Sequence, residues 1–394
     1  MNQSVIILGR QPELGIAELE SLLGADVLHR VSDKVLVIDT DPADIPFDQL
    51  GGSIKLARLL TTLDTTEWNA LEKYLKDTIP KHLQYVPEGK FKLGLSLYGF
   101  QIPVARLNAS GLSIKKAIKA AGRSVRIIPN KELELNTAQV LHNQLTGPTG
   151  WELLLIREGS KTHLAQTSRL QDIEAYAARD QVRPKRDARV GMLPPKLAQI
   201  IVNLATGKLT ADSSSFTVLD PFCGTGVVLQ EALLMGYEAY GSDLEPRMVE
   251  YSQENLDWLS TKFKVEPSNF KVEIGDATHH QWSSYDTIAC ETYLGRPFSA
   301  LPRPEIIEDV MRDVDLIHKK FLKNVAKQTK PGFRMTVAVP AWKVRQGFKH
   351  LKTLDSLEDL GYTRVSFVHA SHDKLVYHRE NQIVARELVT LIRK

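Results

Sequence analysis

At 394 residues, with 43% hydrophobic and a quarter charged, the chain is too long for one ordinary core and has the composition of a soluble globular protein of two or three domains. A formal net charge of +3 does not by itself announce a nucleic-acid binder, and two cysteines, Cys223 and Cys290, exclude a disulfide framework or a four-cysteine zinc site. The opening MNQSVIILGRQPELG has no basic leader, and no apolar run reaches the roughly 18 residues that span a membrane, so a cytoplasmic protein is expected.

The first fifty residues read as strand, helix, strand. SVIILG is a short apolar run; PELGIAELESLLG opens on Pro, keeps Leu14, Ala17, Leu19, Leu22 and Leu23 at helical spacing and stops at Gly24; KVLVID is the second strand. From Ser53 to Ser168 the alternation continues. KFKLGLSLYG and SVRIIPN are predicted strands, SIKKAIKAAG and LNTAQVLHNQLTG helices, and WELLLIREGSKTHLAQTS a hairpin. The stretch RLQDIEAYAARDQVRPKRDARVGMLPPK, rich in Arg, Asp and Pro, breaks the pattern and reads as a linker. Beyond it PPKLAQIIVNLATG is a helix and TVLDPF a strand. GVVLQEALLMG is a helix, EAYGSDL a strand and RMVEYSQENLDWL a helix. FKVEIGDA, YDTIACE and FRMTVAVP are further strands. The tail, RVSFVHA and ENQIVARELVTLI, can pair antiparallel. The fold class is α/β, a doubly wound sheet with an antiparallel edge.

One stretch carries chemistry: VLDPFCGTGVVLQEALLMGYEAYGSDLEP. Gly224, Thr225 and Gly226 fall between a strand and a helix, where free N–H groups and a positive dipole end meet a ligand. Asp243 ends the next strand, the place for a carboxylate on two ribose hydroxyls, and Asp276 ends the third, within reach of an adenine amine. A nicotinamide dinucleotide would want a third glycine where Leu229 stands. Asp220 opens the loop, a poor neighbour for a pyrophosphate and a good one for an ammonium or sulfonium, so S-adenosyl-L-methionine is the expected cofactor. Phe222, Leu244 and Ala277 complete the predicted cofactor set. Cys223 reads as packing, and His279 and His280, with no third ligand nearby, as loop residues; no metal is expected.

VLDPFCGTG, GSDLEPRMVEYSQENL and GDAT resemble motifs of Rossmann-fold methyltransferases. RDQVRPKRDARVGMLPPKLAQIIVNLA resembles more specifically the tRNA guanine-N2 methyltransferases that act on guanosine ten. ILGRQPELGIAELESL is similar to their N-terminal ferredoxin-like domain. KFKLGLSLYG, SVRIIPN and WELLLIREGSKTHLAQTSRLQDI are similar to their THUMP domain. The resemblance implies a ferredoxin-like unit at 1–52, a THUMP RNA-binding domain at 53–168, a linker at 169–190 and a seven-stranded Rossmann-like methyltransferase sheet in 191–394. It also implies tRNA as partner. Eukaryotic and some archaeal members work with a small zinc-containing activator protein, a partner that these residues leave open.

Between Gly89 and Lys131 there is no Asp or Glu, while Lys90, Lys92, Arg106, Lys115, Lys116, Lys119, Arg123, Arg126 and Lys131 crowd the stretch. A local surplus in a chain nearly balanced overall is an electrostatic footprint for nucleic acid. Arg179, Arg183, Lys185, Arg186 and Arg189 of the linker are candidates for further phosphate contacts, or for salt bridges to Asp180 and Asp187.

The family places Asp/Asn-Pro-Pro-aromatic after the fourth strand, to accept the hydrogens of the target amine and stack on the base. Here Glu291-Thr292-Tyr293-Leu294-Gly295 stands there, with neither proline. Glu291 takes the place of the acid, Thr292 offers a backbone carbonyl, and Tyr293 brings an aromatic ring one residue early. The expected activity is methyl transfer to guanine N2 in tRNA. The alternatives are a methyltransferase for another RNA or DNA base, and a tRNA-binding protein whose catalysis is lost.

Overall fold

A computed structural model describes residues 3–187, 192–208, 216–296, 298, 304–345, 347–380 and 382–394. The chain forms two compact units and passes between them repeatedly. Unit 1 takes the chain up to Pro12, Asp26–Asp48 and Ser53–Asp172; unit 2 takes Glu13–Ala25, Gln49–Gly52 and Ile173–Lys394.

Unit 1 is built on one sheet of β1 (Ser4–Leu8), β2 (Leu28–Arg30), β3 (Val35–Ile38), β4 (Ser53–Leu63), β5 (Phe91–Tyr98), β6 (Val125–Ile127), β7 (Gly150–Glu158) and β8 (Lys161–Leu170). Their order is β2-β3-β1-β4-β8-β7-β5-β6. Helix α1 (Pro12–Leu23) follows β1 but belongs, past its first residue, to unit 2. α2 (Trp68–His82), α3 (Val104–Ala120) and the short α4 (Thr137–His142) belong to unit 1. Trp68, Leu71, Leu75 and Ile79 recur at three- and four-residue spacing, so α2 has one apolar stripe. With Leu107, Ile114 and Ile118 of α3 it covers Leu93, Leu95 and Leu97 of the sheet. The indole N–H of Trp68 donates to Ser110 Oγ at 2.9 Å, and that hydroxyl donates to Glu72, so the buried polar groups between the helices are paired.

The predicted boundary at 52/53 falls inside this sheet. β1 pairs antiparallel with β3 on one edge and with β4 on the other, and β4 goes on to pair with β8. Strands as short as β2 and β3 cannot cover a face or an edge by themselves, so the strands of residues 1–52 share one sheet with those of 53–168, while Glu13–Ala25 and Gln49–Gly52 go to unit 2. The predicted linker, 169–190, is also packed where it is described. β8 extends to Leu170, and α5 (Ile173–Ala177) runs into a π-helical turn, Ala178–Val182, within unit 2.

Among the described residues unit 2 holds a mixed sheet of nine strands: β9 (Thr217–Asp220), β10 (Glu238–Asp243), β11 (Phe270–Ile274), β12 (Thr287–Glu291), β13 (Arg334–Lys343), β14 (Phe348–Lys349), β15 (Tyr362–Arg364), β16 (Val376–Tyr377) and β17 (Val384–Arg393). The main path is β11-β10-β9-β12-β13-β17-β15, with β14 beside β13 and β16 beside β17. The sequence predicts seven strands. The two extra ones are two-residue pairings near the ends of β13 and β17, too short to show a period. β9 to β13 are parallel neighbours; β17 is antiparallel to β13 and to β15. The helices are α6 (Pro195–Thr206), α7 (Val227–Leu234), α8 (Pro246–Phe263) and α9 (Pro304–Gln328). Val314, Phe321 and Val325 of α9 bury against Ile288, Met335 and Val337. Among the described residues no helix is long and apolar enough to cross a membrane.

Helix α1 is seated in unit 2 by a buried carboxylate. Glu18 Oε1 accepts from Gly51 N at 2.9 Å and from Asn203 Nδ2 at 2.7 Å; Oε2 accepts from Gly52 N at 2.9 Å. Gly52 has to be glycine, because a Cβ there would lie 2.4 Å from the backbone of Gly15. Further along the helix, Glu20 accepts from Val368 N and His369 N, and Arg334 donates to Ser21 Oγ.

Candidate active site

The four parallel strands β11, β10, β9 and β12 end on one side of the sheet, and each end brings a carboxylate there or just beyond it. Asp220 ends β9, Asp243 ends β10, Asp276 follows β11, and Glu291 ends β12. The ladder sets their level: Gly241 is opposite Asp220, Asp243 opposite Ile274, and Leu219 opposite Ile288. This is the position where ligands bind in open α/β sheets.

The glycine loop between β9 and α7 is tied to these ends. Gly224 N donates to Asp243 Oδ2 at 2.9 Å, and Glu245 N donates to Oδ1 at 3.0 Å. Phe222 N donates to Asp220 Oδ1 at 3.0 Å. Gly226 caps α7 with φ of +80°, and a Cβ there would come 2.5 Å from Ser252 Oγ. No other residue fits that turn. Asn255 fixes the loop from α8, donating to Thr225 O at 2.8 Å. Phe222 turns to the core, edge-on to Phe321, and Ala277 is buried, while Leu244 is 68% exposed and free to cover a ligand.

Burial raises Asp220 far above the usual carboxylate range; the Phe222 amide opposes this and the charges of Asp243 and Glu291 add to it. Burial also raises Asp243, against the amides of Glu245 and Gly224. Asp276 differs. Burial works to raise it, but the Thr278 amide and hydroxyl, with His279 and Lys320, bring it below its usual value. A cradle of crowded acids, two of them reluctant to ionise, suits a cationic ligand and repels a pyrophosphate.

Glu291 has a partner that the sequence did not suggest. Arg386, buried on β17, donates through Nε to Glu291 Oε1. Both side chains lie on one face, because Glu291 is opposite Ala338 and Arg386 opposite Pro340, two residues on along β13. Burial raises the Glu291 carboxyl and the Arg386 charge and hydrogen bond hold it down. Oε2 has no protein hydrogen-bond partner among the described residues. The signal was a charged pair, Arg386-Glu387, inside the apolar run VARELVTLI.

Thr292 does not turn its side chain to the cradle. It is buried, its N–H donates to Ala338 O, and its hydroxyl meets His318 Nε2 at 2.6 Å. His318 Nδ1 faces Val314 O, so Nδ1 carries the proton and Nε2 accepts from Thr292. Burial holds that imidazole neutral, down to about 4. Only the Thr292 backbone remains for the site. Tyr293 is 45% exposed beside it. His280 pairs with Glu273 and His279 with Asp276; among the described residues no group of three or more His, Cys, Asp or Glu is placed for a metal.

The basic residues divide. Lys90, Arg106, Lys116, Lys119, Arg126 and Lys131 are exposed on unit 1, and Lys92 and Lys115 half-buried. Lys92 donates to Gln144, Arg106 to Asn69 and Arg123 to Pro87 O; none of these nine has a carboxylate partner among the described residues. The linker cations behave otherwise. Arg183 is 3% exposed, which removes it from any phosphate-binding surface, and burial lowers its guanidinium. Arg179 is buried against Glu231 at 2.9 Å, and Lys185 pairs with Glu254 at 3.2 Å. Arg186 is exposed, and Arg189 lies outside the described residues.

Residues 212–381 match the family model described as "Methyltransferase domain". The structure of TrmN from Thermus thermophilus aligns over all of both chains with a TM-score of 0.54 at 15% identity. Unit 2 therefore carries an α/β methyltransferase fold. More particularly, the chain is similar to proteins named tRNA (guanine(10)-N2)-dimethyltransferase. It is 28% identical to one from Pyrococcus abyssi over 195 residues, 48% of this chain and 50% of that protein. It is 48% identical to one from Methanothermobacter thermautotrophicus over 76 residues, 19% of this chain and 21% of that one. The chain thus spans half of the first relative's length and about a fifth of the second's.

Proposed function

We propose that this chain is an S-adenosyl-L-methionine-dependent methyltransferase acting on the exocyclic N2 of a guanosine in tRNA. The observation that carries the reading is the meeting of Asp220, Asp243 and Glu291 around the glycine loop at the carboxyl ends of β9, β10 and β12. The acids fit a cationic cofactor, and Gly226 turns the chain beside them into the α7 N-terminus. Asp243 would hold the ribose, Asp276 and Leu244 the adenine, and Asp220 with the loop the charged end. Bound there, S-adenosylmethionine supplies an electrophilic methyl group. Glu291 Oε2 would accept an amine hydrogen and turn the nitrogen lone pair toward that group, with the Thr292 carbonyl as a second acceptor; the rest is positioning. Unit 1, read as THUMP-like, would hold tRNA on its basic face. The names of the similar proteins support the same substrate.

Labelled S-adenosylmethionine and total tRNA test the proposal. Label in N2-methyl- or N2,N2-dimethylguanosine is the expected product, and no transfer to any tRNA refutes the reading. The Glu291–Arg386 ion pair favours one rival, a tRNA-binding protein without transfer, because it engages one oxygen of the acceptor. That rival predicts tRNA binding with no labelled product.

Asp243→Ala should weaken S-adenosylhomocysteine binding by roughly 1.5–3 kcal/mol, the value of a charge-assisted hydrogen-bonding group. Calorimetry on the folded variant checks it, and unchanged affinity removes Asp243 from the site. Reversal of Lys115, Lys116 and Lys119 to Glu should weaken tRNA binding and flatten its salt dependence while sparing the cofactor. Wild-type affinity and slope would make that face merely solvated.

A further inference from the structure

A second stretch without acids lies in unit 2. From Ala341 to Leu354 there is no Asp or Glu, and Lys343, Arg345, Lys349 and Lys352 fall within it. The sheet lifts this stretch above the cradle. β12 leaves the edge of β13 at Glu291, opposite Ala338; four residues further on, β14 takes the same edge, with Lys349 opposite Trp342 and Phe348 opposite Lys343. β13 thus runs five residues past the level of Glu291, about 16 Å at the usual rise of a strand. β17 rises with it, Val384 opposite Trp342, and Lys343 N donates to Ile383 O at 2.8 Å. β16 pairs Tyr377 with Arg386, which brings Arg379 toward the same height.

The top of this wall is cationic. Lys343, Arg345 and Arg379 are exposed, and none has a carboxylate partner among the described residues. Lys343 Nζ donates to the Glu380 carbonyl at 3.4 Å, and Arg379 Nε donates to Tyr377 Oη at 3.1 Å. Two nearby carboxylates are accounted for: Glu308 pairs with Lys349, and Glu387 pairs with His350 and Arg364. The exposed carboxylate of Glu380 is the nearest opposing charge in sequence. Phe348, opposite Lys343, packs edge to face with His378 at 5.2 Å.

We propose that this wall is a phosphate-gripping rim for the RNA strand that carries the target base. The proposal rests on the reading of the cradle as a methyl-transfer site for RNA. A base amine reaches a half-buried acceptor only when its nucleotide is turned out of the stack. The flanking backbone must then be held beside the pocket, and phosphate contacts do this without reading sequence. Lys343, Arg345 and Arg379 stand at the height where such a backbone would pass. The basic face of unit 1 and the rim would share the phosphate affinity, and the rim would add register over Glu291.

The test is the full-length Lys343→Glu, Arg345→Glu, Arg379→Glu variant, compared with wild type by tRNA fluorescence anisotropy over a salt series and by single-turnover methyl transfer. The expected result is at least tenfold weaker tRNA binding. The salt slope should be smaller by about two to three, S-adenosylhomocysteine affinity the same, and transfer slower at subsaturating tRNA. Wild-type affinity and slope overturn the rim. If wild type binds tRNA but transfers no methyl to it, the functional reading falls, and the anisotropy comparison still decides the rim. If wild type binds no tRNA, both fall.

Discussion

Glu291→Gln is expected to slow single-turnover methyl transfer by about two to three orders of magnitude, the size seen when a polar group aimed at developing charge is removed. The amide keeps one acceptor oxygen but loses the charge that Arg386 balances and that favours a nitrogen turning cationic. Cofactor and tRNA affinity should stay near wild type, because neither ligand is held by this group. Arg386 would lose its carboxylate in a buried setting, so the thermal midpoint has to be read alongside the rate. Arg386→Lys controls for that: it keeps a cation near Oε1 and should retain much more activity than Glu291→Gln. Glu291→Asp should also be poor, since the shorter acid cannot reach both Arg386 and the target. A wild-type rate in the folded Glu291→Gln variant places the acceptor elsewhere, first of all at the Thr292 carbonyl.

Glu18→Ala is expected to destabilise unit 2 by about 3–5 kcal/mol, the cost of leaving several buried polar groups unpaired together. Gly51 N, Gly52 N and Asn203 Nδ2 would all lose their acceptor at once. Urea unfolding, followed by a probe in residues 192–394, reads the effect; a loss under 1 kcal/mol would mean that α1 is held by its apolar face alone. The same residue gives a pH signature. Burial pushes the Glu18 carboxyl up to about 7, from 4.5, against the three donors. The folded state therefore keeps a proton that the unfolded state has already released. Its stabilisation is complete below about 4.5 and is lost as pH rises through 7, so the gap between wild type and variant should narrow over that window.

What could be read from the sequence was local. The cradle is a strand, a glycine turn, a helix and a second strand within thirty residues, and backbone geometry alone dictates its residue types. Glu291 was legible for the same reason, as the end of a strand of known order. Its partner Arg386 was not, because 95 positions separate them and only the β13–β17 register joins them. Amphipathic pattern says that a helix has a buried face, not which core receives it; thus α1 looked like part of a small N-terminal unit. Composition misled at Arg183, where an Arg- and Pro-rich stretch suggested an exposed linker and the guanidinium is inside. The strand β4 and the helices α2 and α9 went unread, though the spacing of Trp68, Leu71, Leu75 and Ile79 was available. Pro80 near the end of α2 masks that period.

The path of α1 has a consequence for how the protein is made. A ribosome delivers this helix well ahead of its socket, for the asparagine that grips Glu18 is Asn203, on α6, 185 positions later. At translation speeds of about 5–20 residues per second, roughly 10–35 s pass before the socket exists. Throughout that interval Leu14, Ile16 and Leu19, all buried in the finished protein, await the rest of their core. The nascent chain therefore carries an early sticky segment that a holding chaperone would recognise. Splitting the gene at residue 172 would not yield a self-sufficient second unit, because that fragment would lack the helix α1.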